Sequence, residues 1–309
     1  MAIISNILNI VSCGLNASLG TGNKGCKAFF KKVNSIWLTP QGFKFDGAQT
    51  FNEEYIQLLQ AEGKLIVLKG IKTFADNSED DVLETLEDGT SQVARLGLYQ
   101  FALQFVNGLY FQAALTSLNS FGSYDVTLID NENNVLGTKA SDGSLKGFSV
   151  GMLQAGRFSF ATDSTGQKQA LTLQLTERGE VDSNYVYVQG SALDFAPKSV
   201  DGVNEVGVSY SAVPASAGTT ITVKAILKQD GSVFTGALFG DFNLKVNGVT
   251  ANPTAGDDSA TPGTYVLTVG AISTNDVMSI SIYDNANSRG AIELDNTMYK
   301  SNTASATAV

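Results

Sequence analysis

The sequence predicts a mainly β protein, and three observations carry that expectation. Glycine is abundant (31) while proline (5) and methionine (4) are scarce, and Val, Thr, Phe and Tyr recur, a composition that favours turns and strands over helices. Short runs with a period of two punctuate the chain, as in Tyr99, Phe101, Leu103 and Phe105 and again in Leu171, Leu173 and Leu175. Only Leu109 to Ser120 gives a convincing helix, with Phe111, Ala114, Leu115 and Leu118 on one face and Gly122 as its stop. The implied architecture is a sheet of sandwich or barrel type with one flanking helix, followed by a second β-sandwich.

In chain order, residues 1–29 read as an arm that begins apolar (Ile3, Ile4, Ile7, Leu8) and passes into a loop of small residues. The first domain spans residues 30–196. Its first strand is Val33 to Pro40, with Trp37 opposite Ile36 and Leu38, and Pro40-Gln41-Gly42 ends it. A short helix over Phe51 to Glu62 and a strand over Lys64 to Phe74 come next. Asp76 to Asp88 reads as an acidic connector holding Glu79, Asp80, Asp81, Glu84, Glu87 and Asp88. The strand around Phe101 and the helix follow, then a hairpin in which Tyr124 to Leu128 and Val135 to Gly137 flank the polar turn at residues 130–134. Phe148 to Val150, Gly156 to Ala161, Leu171 to Thr176 and Tyr185 to Gln189 supply further strands. The texture changes at Phe195-Ala196-Pro197, so a boundary falls there.

Residues 197–295 carry five β runs at sandwich spacing, from Glu205 to Tyr210 through Val277 to Tyr283. Among them Pro262-Gly263-Thr264-Tyr265 is similar to the strand start of many immunoglobulin-like domains. Residues 296–309, rich in Ser, Thr and Ala, have nothing to fold around by themselves, and neighbouring copies are expected to hold them.

Charge and missing residue types narrow the function. Lys+Arg 20 against Asp+Glu 30 gives a net charge of −10, which repels nucleic acid. There is no histidine, so the usual general base and commonest metal ligand are missing, and a non-enzyme without cofactor or metal is expected. Cys13 and Cys26 are read as free thiols. Met1 to Asn6 lacks the marks of a secretory signal and no run approaches a membrane span, so folding in the cytoplasm without a membrane partner is expected.

Four motifs could carry chemistry. Gly20-Thr21-Gly22-Asn23-Lys24-Gly25 fits the dinucleotide fingerprint, but no strand runs into it and the Trp37 segment follows too soon for the helix it needs. Gly147-Phe148-Ser149-Val150-Gly151 fits a nucleophile elbow without a histidine to activate the serine, and reads better as a strand. Asp130, Glu132 and Asn134 alternate like calcium ligands, yet the sixth-place glycine and twelfth-place glutamate are missing, so a hairpin turn is the better reading. The run from Glu79 to Asp88 could be a calcium site, a docking strip for a basic partner or a solvated loop; it reads as a solvated loop in one copy, and in a ring of copies as a dense negative band, a candidate acidic lumen or docking loop.

The order of strands, single helix, acidic loop and appended sandwich resembles the tube-forming proteins of tailed bacteriophages. Cys13-Gly14-Leu15, Gly25-Cys26-Lys27, the run Asp130 to Lys139 and Gly147-Phe148 look like virion proteins of phages infecting Bacteroidota. This resemblance implies stacked rings of self-associating subunits, a conduit through which DNA passes without specific binding, contacts with other virion proteins, and an immunoglobulin-like module on the outside. Ile3, Ile4, Ile7, Leu8, Phe51 and Tyr55 are then the candidate inter-subunit contacts, within the arm and the loop from Gly42 to Phe74. A neck-ring or capsid-decoration protein is the near alternative, and a surface adhesin or carbohydrate-binding protein the distant one.

Overall fold

A computed structural model describes residues 3–4, 29–295 and 297–309. It is mainly β, as the sequence predicts, and divides into two units: Met1–Ile56 with Lys64–Val200, and Gln57–Gly63 with Asp201–Val309. The change of unit lies within a few residues of Pro197. Ile7, Leu8, Cys13, Cys26 and the loop at residues 20–25 lie outside the described residues.

The first unit is built on β1 (Val33–Pro40), the start of α1 (Glu53–Ala61) as far as Ile56, β2 (Ile66–Lys69), β3 (Thr73–Asp76), β4 (Val82–Thr85), β5 (Ser91–Arg95), β6 (Gln100–Phe105), α2 (Leu109–Ser117), β7 (Ser120–Phe121) and β8 (Tyr124–Asp130). It is completed by β9 (Val135–Lys139), β10 (Leu145–Lys146), β11 (Phe148–Ala155), β12 (Gln169–Leu175), α3 (Arg178–Asp182) and β13 (Tyr185–Val188). One sheet runs β2-β1-β8, with β9 and the start of β11 both pairing β8. A second runs β3-β6-β12-β11, with β7 on the far side of β11. Strand β11 belongs to both, and it changes sheet at a bulge between Val150 and Met152. Gly151 sits in that bulge, where an added Cβ would lie 2.7 Å from the Thr176 methyl. A side chain there would resist the bend that joins the sheets.

Between the two sheets lies a core of Ile36, Leu38, Leu103, Phe105, Val126, Phe148, Leu153, Leu171 and Leu173, each almost wholly buried. The period-two leucines of β12 and aromatics of β6 are thus on the inner side, worth about 1.5–3 kcal/mol each by area. Helix α2 closes one end of this core through Leu115 and the Phe105–Phe111 ring contact at 5.1 Å. Among the described residues α2 is one of three helices: α1 falls within the short helix expected over Phe51 to Glu62, and the short α3 is an addition. In α1, Asn52 accepts the Tyr55 N–H (2.9 Å) as an N-terminal cap, and Glu53 and Glu54 suit the positive end of its dipole.

Strand β1 is buried on both faces. Opposite Ile36 and Leu38, Trp37 meets Phe51 at 6.1 Å, and Phe51 also meets Phe45 (5.9 Å) and Phe195 (5.7 Å). Two expected strands are redrawn. The run from Lys64 to Phe74 breaks at Gly70, whose φ of +77° turns the chain from β2 into β3. Residues 156–161 form no strand, only the bridge between Ser159 and Lys168.

The second unit is a β-sandwich. Its strands are β14 (Asn204–Tyr210), β15 (Thr220–Leu227), β16 (Phe242–Val246), β17 (Val249–Thr250), β18 (Ala255–Asp257), β19 (Thr264–Thr268), β20 (Val277–Ile282), β21 (Ile292–Leu294), β22 (Thr297–Ser301) and β23 (Ala304–Thr307). They form a six-stranded sheet, β18-β19-β15-β14-β22-β21, and a four-stranded one, β17-β16-β20-β23. Val206, Val223, Leu267, Phe242, Leu244, Met278 and Ile280 fill the space between. Tyr265 of the Pro-Gly-x-Tyr run is wholly buried and its hydroxyl donates to the Phe234 carbonyl at 2.9 Å.

The tail differs most from expectation. Residues 297–309 complete both sheets of their own unit, β22 lying parallel to β14 and β23 antiparallel to β20. Val309 N–H donates to the Pro214 carbonyl (3.1 Å), and Ala308 is buried. Backbone ladder bonds and two small side chains fitted to a crowded core hold a segment whose side chains alone gave no reason to fold.

Candidate functional site

The acidic run is a β-hairpin, which corrects its reading as a loop. Strands β4 and β5 pair with each other and, among the described residues, with no other strand, and every residue in both is exposed. The turn forms at Asp88-Gly89, where Gly89 takes φ +82° and Asp88 accepts the Thr90 N–H (2.9 Å) and hydroxyl (2.6 Å). Those bonds, the hydroxyl's first, hold the Asp88 carboxyl below its usual range. Leu83 and Val93 sit opposite each other, 64% and 52% exposed, on one face. Glu84 and Gln92 pair across the other, 3.4 Å apart. Leu86 and Leu96, also exposed, flank the strands.

Its base is fastened by an ion-pair clasp. Asp81 accepts the Gly97 N–H (2.9 Å) and pairs with Arg178, which also holds Asp182 at 2.6 Å. Tyr99 donates its hydroxyl to Asp182, and Arg95 pairs with Glu79 at 2.8 Å. Hydrogen bonding to Asp182 pushes the Tyr99 phenol up, while Tyr99 and Arg178 hold Asp182 down. A cleft of about 230 Å³ opens here, lined by Ser78, Glu79, Asp80, Asp81, Gly97, Leu98, Tyr99 and Arg178. Gly97 must be glycine because an added Cβ would lie 1.8 Å from the Glu79 carbonyl oxygen. Glu79, Asp81, Glu84 and Asp88 therefore build the hairpin, while Asp80 lines the cleft and Glu87 lies exposed beside the turn. The Asp88-Gly89 pair was a sequence signal for this hairpin, masked by the density of carboxylates around it. Arg178 and Tyr99 carried no such signal, being remote from the run in sequence.

Beside the hairpin, the sheet β3-β6-β12-β11 turns a second face away from the core. Thr73 and Ala75 lie there next to Gln100, Ala102 and Gln104, then Ala170, Thr172 and Gln174, then Met152 and Gln154. All are half-buried or exposed and none is charged. Phe121, paired with Met152, extends this face and is 78% exposed. The outer strands β3 and β7 have one strand partner each.

The expected inter-subunit contacts do not lie on this surface. Ile4, Phe51 and Tyr55 are buried within the chain, Phe51 in the Trp37 cluster and Tyr55 accepting the Asp46 N–H at 3.0 Å. Ile3 is more exposed and bridges to Thr50. The side chains of Ile4, Phe51 and Tyr55 are thus packed within the single chain. Ile7 and Leu8 lie outside the described residues.

The calcium-like turn and the Gly147 to Gly151 run fall where the sequence suggested. Asp130 is a buried turn acceptor, taking the N–H groups of Lys31, Glu132 and Asn134 at 2.8–2.9 Å. Ser149 lies inside β11, its hydroxyl donating to Glu180 at 2.9 Å and accepting from Lys146 Nζ at 2.7 Å. Asp125, opposite Ser149 on β8, is wholly buried. Burial pushes its carboxyl up to about 6, against the lowering effects of the Gly42 N–H and Lys146. Among the described residues, no group of three acidic, His or Cys side chains is placed to hold a metal ion, and no helix is long and apolar enough to cross a membrane.

No family model matches the chain, and no curated protein matches it.

Proposed function

We propose that the protein is a structural subunit of a phage virion that self-assembles into stacked rings, forming a tail tube through which DNA leaves. The observation that carries this reading is the hairpin. A two-stranded ribbon is marginal in water, and this one spends an ion-pair clasp on holding two apolar side chains in solvent. A second copy is the occupant that self-assembly supplies to cover Leu83 and Val93. The uncharged face of β3-β6-β12-β11 supports the same reading. Its single-partner edges suit pairing with neighbouring copies into a continuous inner wall, and the Gln, Thr, Ala and Met side chains of its strands carry no charge to hold phosphates. In this reading the negative band belongs to the hairpins and the bore is neutral. The second unit then serves as an immunoglobulin-like module on the outer surface.

Negative-stain imaging of the purified full-length chain tests this. Tubes or stacked rings of constant bore are expected. Isolated rings that never stack favour a neck or decoration role, and particles that stay monomeric at high concentration contradict the proposal.

A further inference from the structure

Lys146, Asp125 and Glu180 reach one another from β10, β8 and α3. Asp125 Oδ2 accepts the Gly42 N–H at 2.7 Å and lies 3.7 Å from Lys146 Nζ, while Oδ1 is buried with no partner. The hydroxyls of Thr39, across from Asp125 on β1, and of Thr127, two residues along β8, make no hydrogen bond to it, which leaves Gly42 N–H and Lys146 at this carboxyl. Such a group favours its protonated form, and the Asp125 carboxyl, raised by burial to about 6, is the neutral acid below that pH. Lys146 Nζ is directed by other bonds, donating to Ser149 Oγ at 2.7 Å and to Glu180 Oε1 at 3.2 Å. The Ser149 N–H in turn fixes Glu180 Oε2 at 2.6 Å. A primary amine, an uncharged carboxylic acid and a second carboxylate that touches the amine are thus held together in a site nearly closed to water.

We propose that these three side chains form an intramolecular amide bond between Lys146 Nζ and Asp125 Cγ. Lys146 first passes a proton from its ammonium to Glu180, which lies within hydrogen-bond reach. The freed amine attacks Asp125 Cγ. Glu180 returns the proton to the departing Oδ1 hydroxyl, which leaves as water, and the second amine proton returns to Glu180 and then to solvent. Nothing is oxidised or reduced and no co-reactant is needed. The oxygen lost is the unpartnered one, while Oδ2 keeps its bond from Gly42. The outcome is a covalent strap between β8 and β10, with Ser149 and Glu180 as the groups that aim the amine.

Mass spectrometry of the full-length chain, folded near pH 5 where Asp125 is protonated and then denatured, tests the proposal. The expected mass is lighter than the sequence mass by one water, and a protease digest should yield one branched peptide joining Asp125 to Lys146. Lys146→Arg keeps the cation without the nucleophile and should restore the full mass, as should Glu180→Gln, with circular dichroism confirming that each folds. A folded native chain at full sequence mass overturns the proposal. A water loss that persists in Lys146→Arg also overturns it, because the loss then arises elsewhere, as in a succinimide. A folded Glu180→Gln chain that is still lighter by one water removes Glu180 from the mechanism.

Discussion

Phe51 and Gly97 show how differently single residues carry this structure. Phe51 looked available for contacts between copies, yet its ring meets Trp37, Phe45 and Phe195 at 6.1 Å or less. Phe51→Ala should therefore cost about 3–5 kcal/mol in a denaturant melt, as for other buried aromatics, and should act on the isolated chain regardless of concentration. Gly97 holds up no core. Gly97→Ala drives a methyl into the Glu79 carbonyl, so the hairpin should lose its seat while the two sheets of the first unit survive. Limited proteolysis would read this as rapid cutting between residues 79 and 97 with a nearly unchanged melting temperature. The difference between these two residues explains what was legible. Alternation placed Trp37 opposite Ile36 and Leu38 correctly, because period-two burial is written locally. It could not show that Phe51 closes over Trp37, because that contact depends on where a later segment returns.

Strands and helices sort by the same rule. β6, β12, α2 and the β8–β9 hairpin were readable because each announces itself by its own period and turn chemistry. β23 was not, since Ala304 to Thr307 owes its strand to the ladder with β20 and not to its side chains. The junction of β8, β10 and α3 was equally hidden, being a meeting of residues up to 55 positions apart, Asp125 and Glu180. In a Lys146→Arg chain, which cannot form the amide, that junction should give a pH signature. Asp125 retains its proton in the fold up to about 6, whereas the unfolded chain releases it near 3.8. The folded state then binds more protons within that window, so stability is full below it and falls as pH rises through it, by on the order of 3 kcal/mol at most. Denaturant midpoints between pH 4 and 7 would show the decline. In the native chain an amide removes the titrating group, and the curve should be flat there apart from other carboxylates.

For the whole molecule, charge and shape act together. The segment from Glu79 to Gly97 holds six carboxylates and one arginine, half of the chain's net −10, on a ribbon that also exposes Leu83 and Val93. Packed rings would set these bands against one another, so assembly should strengthen as salt rises to screen them, over a Debye length falling from about 30 Å at 0.01 M to about 8 Å at 0.15 M. Light scattering across that range would register the trend. The account rests on Leu83 and Val93 being covered by another copy. The direct measurement is sedimentation velocity of the full-length chain beside a Leu83→Asp, Val93→Asp variant at equal concentration. The account predicts large assemblies for the native chain and monomers for the variant, with the same far-ultraviolet circular dichroism. A native chain that sediments as a monomer, or a variant that assembles equally well, would contradict it.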